Sequence, residues 1–147
     1  MLAFTDTLHD ALSAADASAR GLNQEFVGTE HLLLGLLQTP GAQALRTLQA
    51  AVNPAELKSA LERALPRAKE APVVTGRLPL SPRAQRSING AIVIAQNAAR
   101  ANVSTANLLL SLLEETNGAV RPSLAACGAD LDQLTRRLGE PVADPEP

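Results

Sequence analysis

Aromatic residues are almost missing from this sequence, which has two Phe and no Tyr or Trp. Single-stranded nucleic acid binds by stacking its bases on such rings, and that platform is absent. Basic residues are in no excess either: the formal charge is −2 at pH 7, without the basic footprint that nucleic-acid binding requires. Cys127 is the only cysteine, which excludes an internal disulfide and a thiolate metal cluster and suits a reducing compartment. The start, Met1-Leu2-Ala3-Phe4-Thr5-Asp6, lacks the basic region and long apolar run of a secretory signal. No stretch reaches the roughly 18 uninterrupted apolar residues of a membrane span. The expectation is a cytoplasmic protein with neither nucleic-acid nor membrane partners.

What the sequence does have is Ala and Leu. Hydrophobic residues make up 46% of its 147 positions, and these two supply most of them. Both are strong helix formers, whereas strands favour β-branched and aromatic side chains. The composition therefore predicts an all-α protein, long enough to bury a real core.

The decisive internal feature is a duplication. Gly28-Thr29-Glu30-His31-Leu32-Leu33-Leu34-Gly35-Leu36-Leu37 aligns with Ser104-Thr105-Ala106-Asn107-Leu108-Leu109-Leu110-Ser111-Leu112-Leu113 at a spacing of 76, with the Thr and five Leu identical. The same offset pairs Val27 with Val103, Ala15 with Ala91, Ala19 with Ala95 and Leu48 with Leu124, and sets Phe4-Thr5-Asp6 against Leu80-Ser81-Pro82. Leu-rich helices match by chance over short runs, but one offset held this far marks a repeat.

Each copy reads as four helices. In the first, Thr5 is an N-cap whose hydroxyl accepts from the free N–H groups of the first turn, and Leu8, Leu12, Ala15, Ala19 and Leu22 form one apolar face. Thr29 is expected to cap a second helix carrying Leu32, Leu33, Leu36 and Leu37, broken by Thr39-Pro40-Gly41. Ala44, Leu45 and Leu48 mark a third, and Asn53-Pro54 opens a fourth with a cap followed by proline at the first helical position. In the second copy, Ser81-Pro82 is again cap plus proline, leading to Ile88, Ile92, Ala95 and Ala99. Thr105 is the expected cap of the next helix, which Asn117-Gly118 ends. Leu124 marks the third, followed by Gly128 as a C-terminal cap, and Leu131, Leu134 and Leu138 the last. The expected layout is repeat one over 4–65, an ordered or semi-ordered linker over 66–79, repeat two over 80–139, and a disordered tail or linker over 140–147. The two copies should pack as one domain, residues 1–139, with pseudo-two-fold symmetry, because each alone would expose much of its apolar face.

Phe4-Thr5, Ala19-Arg20-Gly21-Leu22-Asn23 and the run from Val27 to Leu36 resemble the repeat signature of the amino-terminal domain of Clp protein unfoldases, most closely its C type. Leu78 to Ala84 and Leu124 to Leu131 continue the match, so the resemblance covers residues 4–139. It implies a non-catalytic domain that docks substrates and adaptors ahead of ATPase modules. In C-type domains it further implies a pocket for phosphorylated arginine in each repeat, with a glutamate for the guanidinium and the cap of the first helix for the phosphoryl group. The chemistry is sound, since a planar guanidinium suits a carboxylate and a helix N-terminus suits an anion. Carried over, Glu30 and Thr5 fit the first pocket. In the second, Ser81 keeps a hydroxyl but Ala106 replaces the glutamate, and Asn107 replaces the His. A Gly-x-x-x-x-Gly-Lys-Ser/Thr loop is absent, so the chain is either a piece of a longer unfoldase or a free-standing relative of its receptor domain.

Plainer roles compete for the same residues. Glu30 at a helix start also stabilises the helix dipole, by about 0.3–1 kcal/mol. Thr5 and Thr29 serve as caps, His31 reads as a structural histidine and His9 as a surface one. Cys127 reads as a small buried filler at a helix end, with no base spaced to activate it. Arg63, Arg67, Lys69 and Arg77 form a solvated basic face around the linker. With two isolated His and no ligand spacing, the sequence predicts no catalytic residue, no metal and no cofactor. Two functions remain: a module recognising substrates or adaptors for an ATP-dependent Clp chaperone or protease, or a structural accessory subunit affecting assembly of the Clp protease complex.

Overall fold

A computed structural model describes residues 2–71, 73, 75–140 and 146–147 of the chain. The first repeat comprises a two-residue strand β1 (Ala3–Phe4), then α1 (Asp6–Gly21), α2 (Thr29–Leu37), α3 (Gln43–Ala51) and α4 (Pro54–Ala64). The second comprises α5 (Pro82–Asn97), a short strand β2 (Asn102–Val103), α6 (Thr105–Glu114), α7 (Val120–Ala126) and α8 (Leu131–Leu138). The fold is all-α, two four-helix repeats in one pseudo-two-fold domain.

Local chemistry sets most helix ends. The Thr5 hydroxyl accepts from the Leu8 N–H at 3.0 Å, and Ser81 does the same for Ala84 at 3.1 Å. Asn53 Oδ1 accepts from Ala55 and Glu56 ahead of α4. Gly128, at φ +90°, follows α7 in the left-handed conformation that glycine adopts without strain. The caps of the Leu-rich helices differ from the sequence expectation. Gly28 and Ser104, not Thr29 and Thr105, are the N-caps of α2 and α6. The reason lies three residues on: His31 Nδ1 accepts from the Gly28 N–H and Asn107 Oδ1 from the Ser104 N–H, each at 2.9 Å. The two threonines become the first helical residues, and their hydroxyls are free for other work.

Within each repeat the first two helices pack closely, by unlike means. A Cβ on Gly35 of α2 would lie 2.3 Å from the Ala11 carbonyl oxygen of α1. The equivalent of Gly35 is Ser111, whose hydroxyl donates to the Ser87 carbonyl at 2.6 Å. Here the space is on the other helix, at Gly90, where a Cβ would meet Ser111 Oγ at 2.4 Å. A single core joins both repeats, with Leu32, Leu33, Leu36 and Leu48 of the first and Leu108, Leu109, Leu112 and Leu124 of the second fully buried.

The repeats also exchange backbone. Phe4 pairs in parallel with Val103, and Val27 with Leu80; under the 76-residue offset these two pairings are equivalent. Strand signals this short do not show in a sequence. Their consequence is large, because the residues leading into α1 are tied to those leading into α6, and those leading into α5 to those leading into α2. The segment between the repeats is strapped down as well: Leu78 N–H donates to Asp16 at 2.7 Å and Ala68 N–H to the Leu22 carbonyl at 3.2 Å, while Pro72 and Val74 lie outside the described residues. Of the tail expected to be disordered, residues 141–145 lie outside the described residues, but Glu146 and Pro147 are seated on the domain and Glu146 is buried. Hydrogen bonds from the domain, described below, hold them there.

Candidate functional site

The exchange of strands creates two clefts, each built by both repeats. In the first, of about 520 Å³, Gly28, Thr29 and Glu30 at the start of α2 face Ser81, Pro82, Arg83 and Arg86 at the start of α5. Two helix N-termini converge there, so their unpaired N–H groups favour negative charge. Glu30 supplies it from within: its Oε1 accepts from the Ala119 N–H at 2.9 Å, just ahead of α7, and its Oε2 from the Thr29 hydroxyl at 3.0 Å. Burial by itself would raise the Glu30 pKa, but the Ala119 and Glu30 N–H groups, the Thr29 hydroxyl and the nearby Arg83 charge together hold it below the ordinary 4.5. Burial lowers His31 from its ordinary 6.5, with the Glu30 charge opposing. The imidazole is therefore held neutral, with Nδ1 accepting the Gly28 N–H.

The second cleft, of about 320 Å³, is lined by Thr5, Gln43, Arg100, Ser104, Ala106, Asn107 and Glu146 among others. At the position equivalent to Glu30 stands Ala106, but a carboxylate is present all the same. Glu146 Oε2 accepts from the Gln43 N–H at 3.0 Å and from the Thr105 hydroxyl at 2.7 Å. Its Oε1 accepts from the Thr5 hydroxyl at 3.0 Å and from the Thr105 N–H. Under the 76-residue offset Gln43 corresponds to Ala119 and Thr105 to Thr29, so Glu146 takes the same donors that Glu30 takes in the first cleft. Pro147 follows, its carbonyl accepting from both the N–H and the hydroxyl of Thr7 at 2.8 Å.

Thr5 and Glu30, expected in one pocket, are thus in different ones. Glu30 shares its cleft with Ser81, and Thr5 shares its cleft with Ala106 and Glu146. Pairing residues within a repeat was natural from the sequence, but the parallel strand pairing joins each first helix to the second helix of the other repeat. Glu146 and Arg83 were missed altogether. The Ala106 substitution was the only signal for Glu146, since a missing carboxylate invites a replacement from elsewhere. Of the other residues, His9 is exposed, its ring 5.7 Å from that of Phe4 and tilted by 39° to it, and Cys127 is only partly buried. Among the described residues, no three His, Cys, Asp or Glu side chains gather as metal ligands would, and no helix is long and apolar enough to cross a membrane.

A family profile described as the Clp repeat (R) N-terminal domain matches residues 3–121 and again 80–146. The chain belongs to the Clp repeat N-terminal domain family. The chaperone protein ClpC1, chloroplastic, of Oryza sativa subsp. japonica is 30% identical over 142 residues, covering 93% of this chain. The chain spans only 15% of that relative's length. The Hsp104 N-terminal domain from Candida albicans superposes with a TM-score of 0.77 at 21% identity, covering 94% of this chain and 90% of that one. A ClpV N-domain solved in complex with a VipB peptide superposes with a TM-score of 0.70 at 18% identity, covering 91% and 83% respectively. These two likenesses establish the Clp N-domain fold, and the duplication of this Clp repeat domain is the one its sequence displays.

Proposed function

We propose that the chain is a non-catalytic protein-binding module that recognises substrates or adaptors for an ATP-dependent Clp unfoldase and its peptidase. The observation that carries this reading is the first cleft. It sets a half-buried carboxylate, Glu30, held in its charged form, beside two helix N-termini and the guanidinium groups of Arg83 and Arg86. Such a site suits a ligand carrying both signs of charge at short range. A phosphorylated arginine fits: its guanidinium pairs with Glu30, and its phosphoryl group meets the start of α5, where Ser81 and the two arginines lie. The ClpV N-domain bound to the VipB peptide supports peptide docking on this fold. The expected cytoplasmic setting belongs to the same proposal, although the rice relative is named as chloroplastic.

Calorimetry with free phosphoarginine tests it. One site of measurable affinity is expected, and Glu30→Ala should weaken it roughly tenfold to a hundredfold, the worth of a charge-assisted hydrogen bond of about 1.5–3 kcal/mol. No binding by the wild-type protein would overturn the phosphoarginine assignment. The alternative reading, an accessory subunit affecting assembly of the Clp protease complex, is favoured by the chain's own Glu146 taking the donors of the second cleft. It predicts co-elution with assembled Clp rings that Glu30→Ala leaves unchanged.

A further inference from the structure

The second cleft presents a bound group. Glu146 is 6% exposed, although it belongs to none of the helices and lies in a stretch of sequence rich in proline. Its carboxylate receives four donors, two on each oxygen: Thr105 N–H and Thr5 hydroxyl on one, Gln43 N–H and Thr105 hydroxyl on the other. The side chains that donate, Thr5 and Thr105, are themselves 7% and 0% exposed. They are held independently of the tail: Thr105 Oγ1 also accepts from the Ala44 N–H at 3.2 Å, and Thr5 Oγ1 also accepts from the Leu8 N–H. The N-cap of α1, Thr5, and the first residue of α6, Thr105, both donate to the carboxylate.

From this geometry we infer that the second cleft is a receptor for a peptide carboxylate, and that Glu146 is its resident ligand in cis. The ligand class is a glutamate-containing acidic segment. Two donors for each of two coplanar oxygens match a carboxylate, and none of the four donors is a Lys or Arg of the kind that would anchor a more highly charged group. The residue after the glutamate is read as well, because the N–H and hydroxyl of Thr7 both hold the Pro147 carbonyl. Ala106 is what makes room: a glutamate there would direct its own carboxylate to the Gln43 N–H, as Glu30 does to Ala119 in the first cleft. The site is therefore occupied by the tail until an acidic segment of a partner displaces it. The inference is independent of phosphoarginine binding at Glu30, which has its own cleft and its own test.

The experiment uses the full chain labelled for NMR, and as probe a synthetic peptide with the sequence of residues 140–147. In the wild-type protein, Glu146 side-chain protons should show nuclear Overhauser contacts to the Thr105 and Gln43 amides, a reading that needs no variant. In Glu146→Ala those two amides should shift and exchange at least tenfold faster, while the Ala119 amide of the first cleft stays unchanged. Adding the peptide to Glu146→Ala should restore both signals. A peptide carrying Glu146→Gln should not, and the wild-type chain should bind the probe at least tenfold more weakly than the Glu146→Ala chain. Absence of the Overhauser contacts, equal binding of the probe by both chains, or a preference of the Glu146→Ala chain for inorganic phosphate over the probe would each overturn the inference.

Discussion

Two residues equivalent under the 76-residue offset, His31 and Asn107, show how one structural task is met by different chemistry. Each accepts the N–H of its helix cap at 2.9 Å, but only the histidine can titrate. Its Nδ1 must stay unprotonated to accept, and burial keeps its pKa below 6.5. Below that value the unfolded chain takes up a proton that the folded chain resists, so stability falls as pH drops from about 6.5 through the folded value. Glu30 adds a second loss in the same direction, beginning below 4.5 and completed as pH falls through its lower folded pKa. Urea midpoints measured against pH should therefore decline in two stages. His31→Asn, which installs the capping residue of the second repeat, should remove the upper stage and leave the lower. At the same scale, Ala106→Glu by itself should compete with Glu146 for the Gln43 N–H. Combined with Glu146→Ala it should build a second cleft resembling the first, and calorimetry should then count two phosphoarginine sites.

At the scale of elements, the α1–α2 and α5–α6 crossings each join a helix of one cleft to a helix of the other. Gly35 allows the first crossing because there is no room between α2 and the Ala11 carbonyl. Backbone cannot move aside as a flexible side chain can, so Gly35→Ala should cost about 1–3 kcal/mol, the range for overpacking. Gly21→Ala, at the end of α1 with nothing within 4 Å of the new Cβ, should change stability far less. Gly90→Ala should be harmful through Ser111 Oγ, and adding Ser111→Ala should recover part of the loss, since that clash is with a hydroxyl. Denaturant titration of the four variants ranks them, and a benign Gly35→Ala would contradict the close approach of α1 to α2. The sequence showed these helices through their periodic Leu and Ala, but the division of labour between Gly35 and Gly90 depends on how two surfaces meet.

For the whole molecule, the shared core and the reciprocal strand pairings predict one cooperative unit. Leu36 and Leu112 are equivalent and fully buried, and truncating such a residue typically costs about 2–5 kcal/mol. Leu36→Ala and Leu112→Ala should each lower a single melting transition, followed by circular dichroism and by calorimetry. Two transitions, with each variant moving only its own, would mean that the repeats unfold separately. The clefts belong to this scale too, since neither exists in an isolated repeat. Any change that loosens one repeat from the other should weaken both.

The sequence by itself determined the helices, the duplication and the family, because helix propensity, apolar periodicity, capping residues and a repeated Leu-rich run are local properties written in consecutive residues. It also marked Glu30, Thr5 and Ser81 as helix-start residues, and Ala106 as a missing carboxylate. Which of these residues face each other was decided only by tertiary structure. Two brief parallel pairings, Phe4 with Val103 and Val27 with Leu80, place the start of each repeat's first helix against the second helix of the other. That separates Thr5 from Glu30 and joins Glu30 to Ser81. Beyond the missing carboxylate at Ala106, the capture of Glu146 left no mark in the sequence, because its four donors come from Thr5, Gln43 and Thr105, far apart along the chain. A buried carboxylate is stable only where such donors already converge, and convergence is a property of the folded chain.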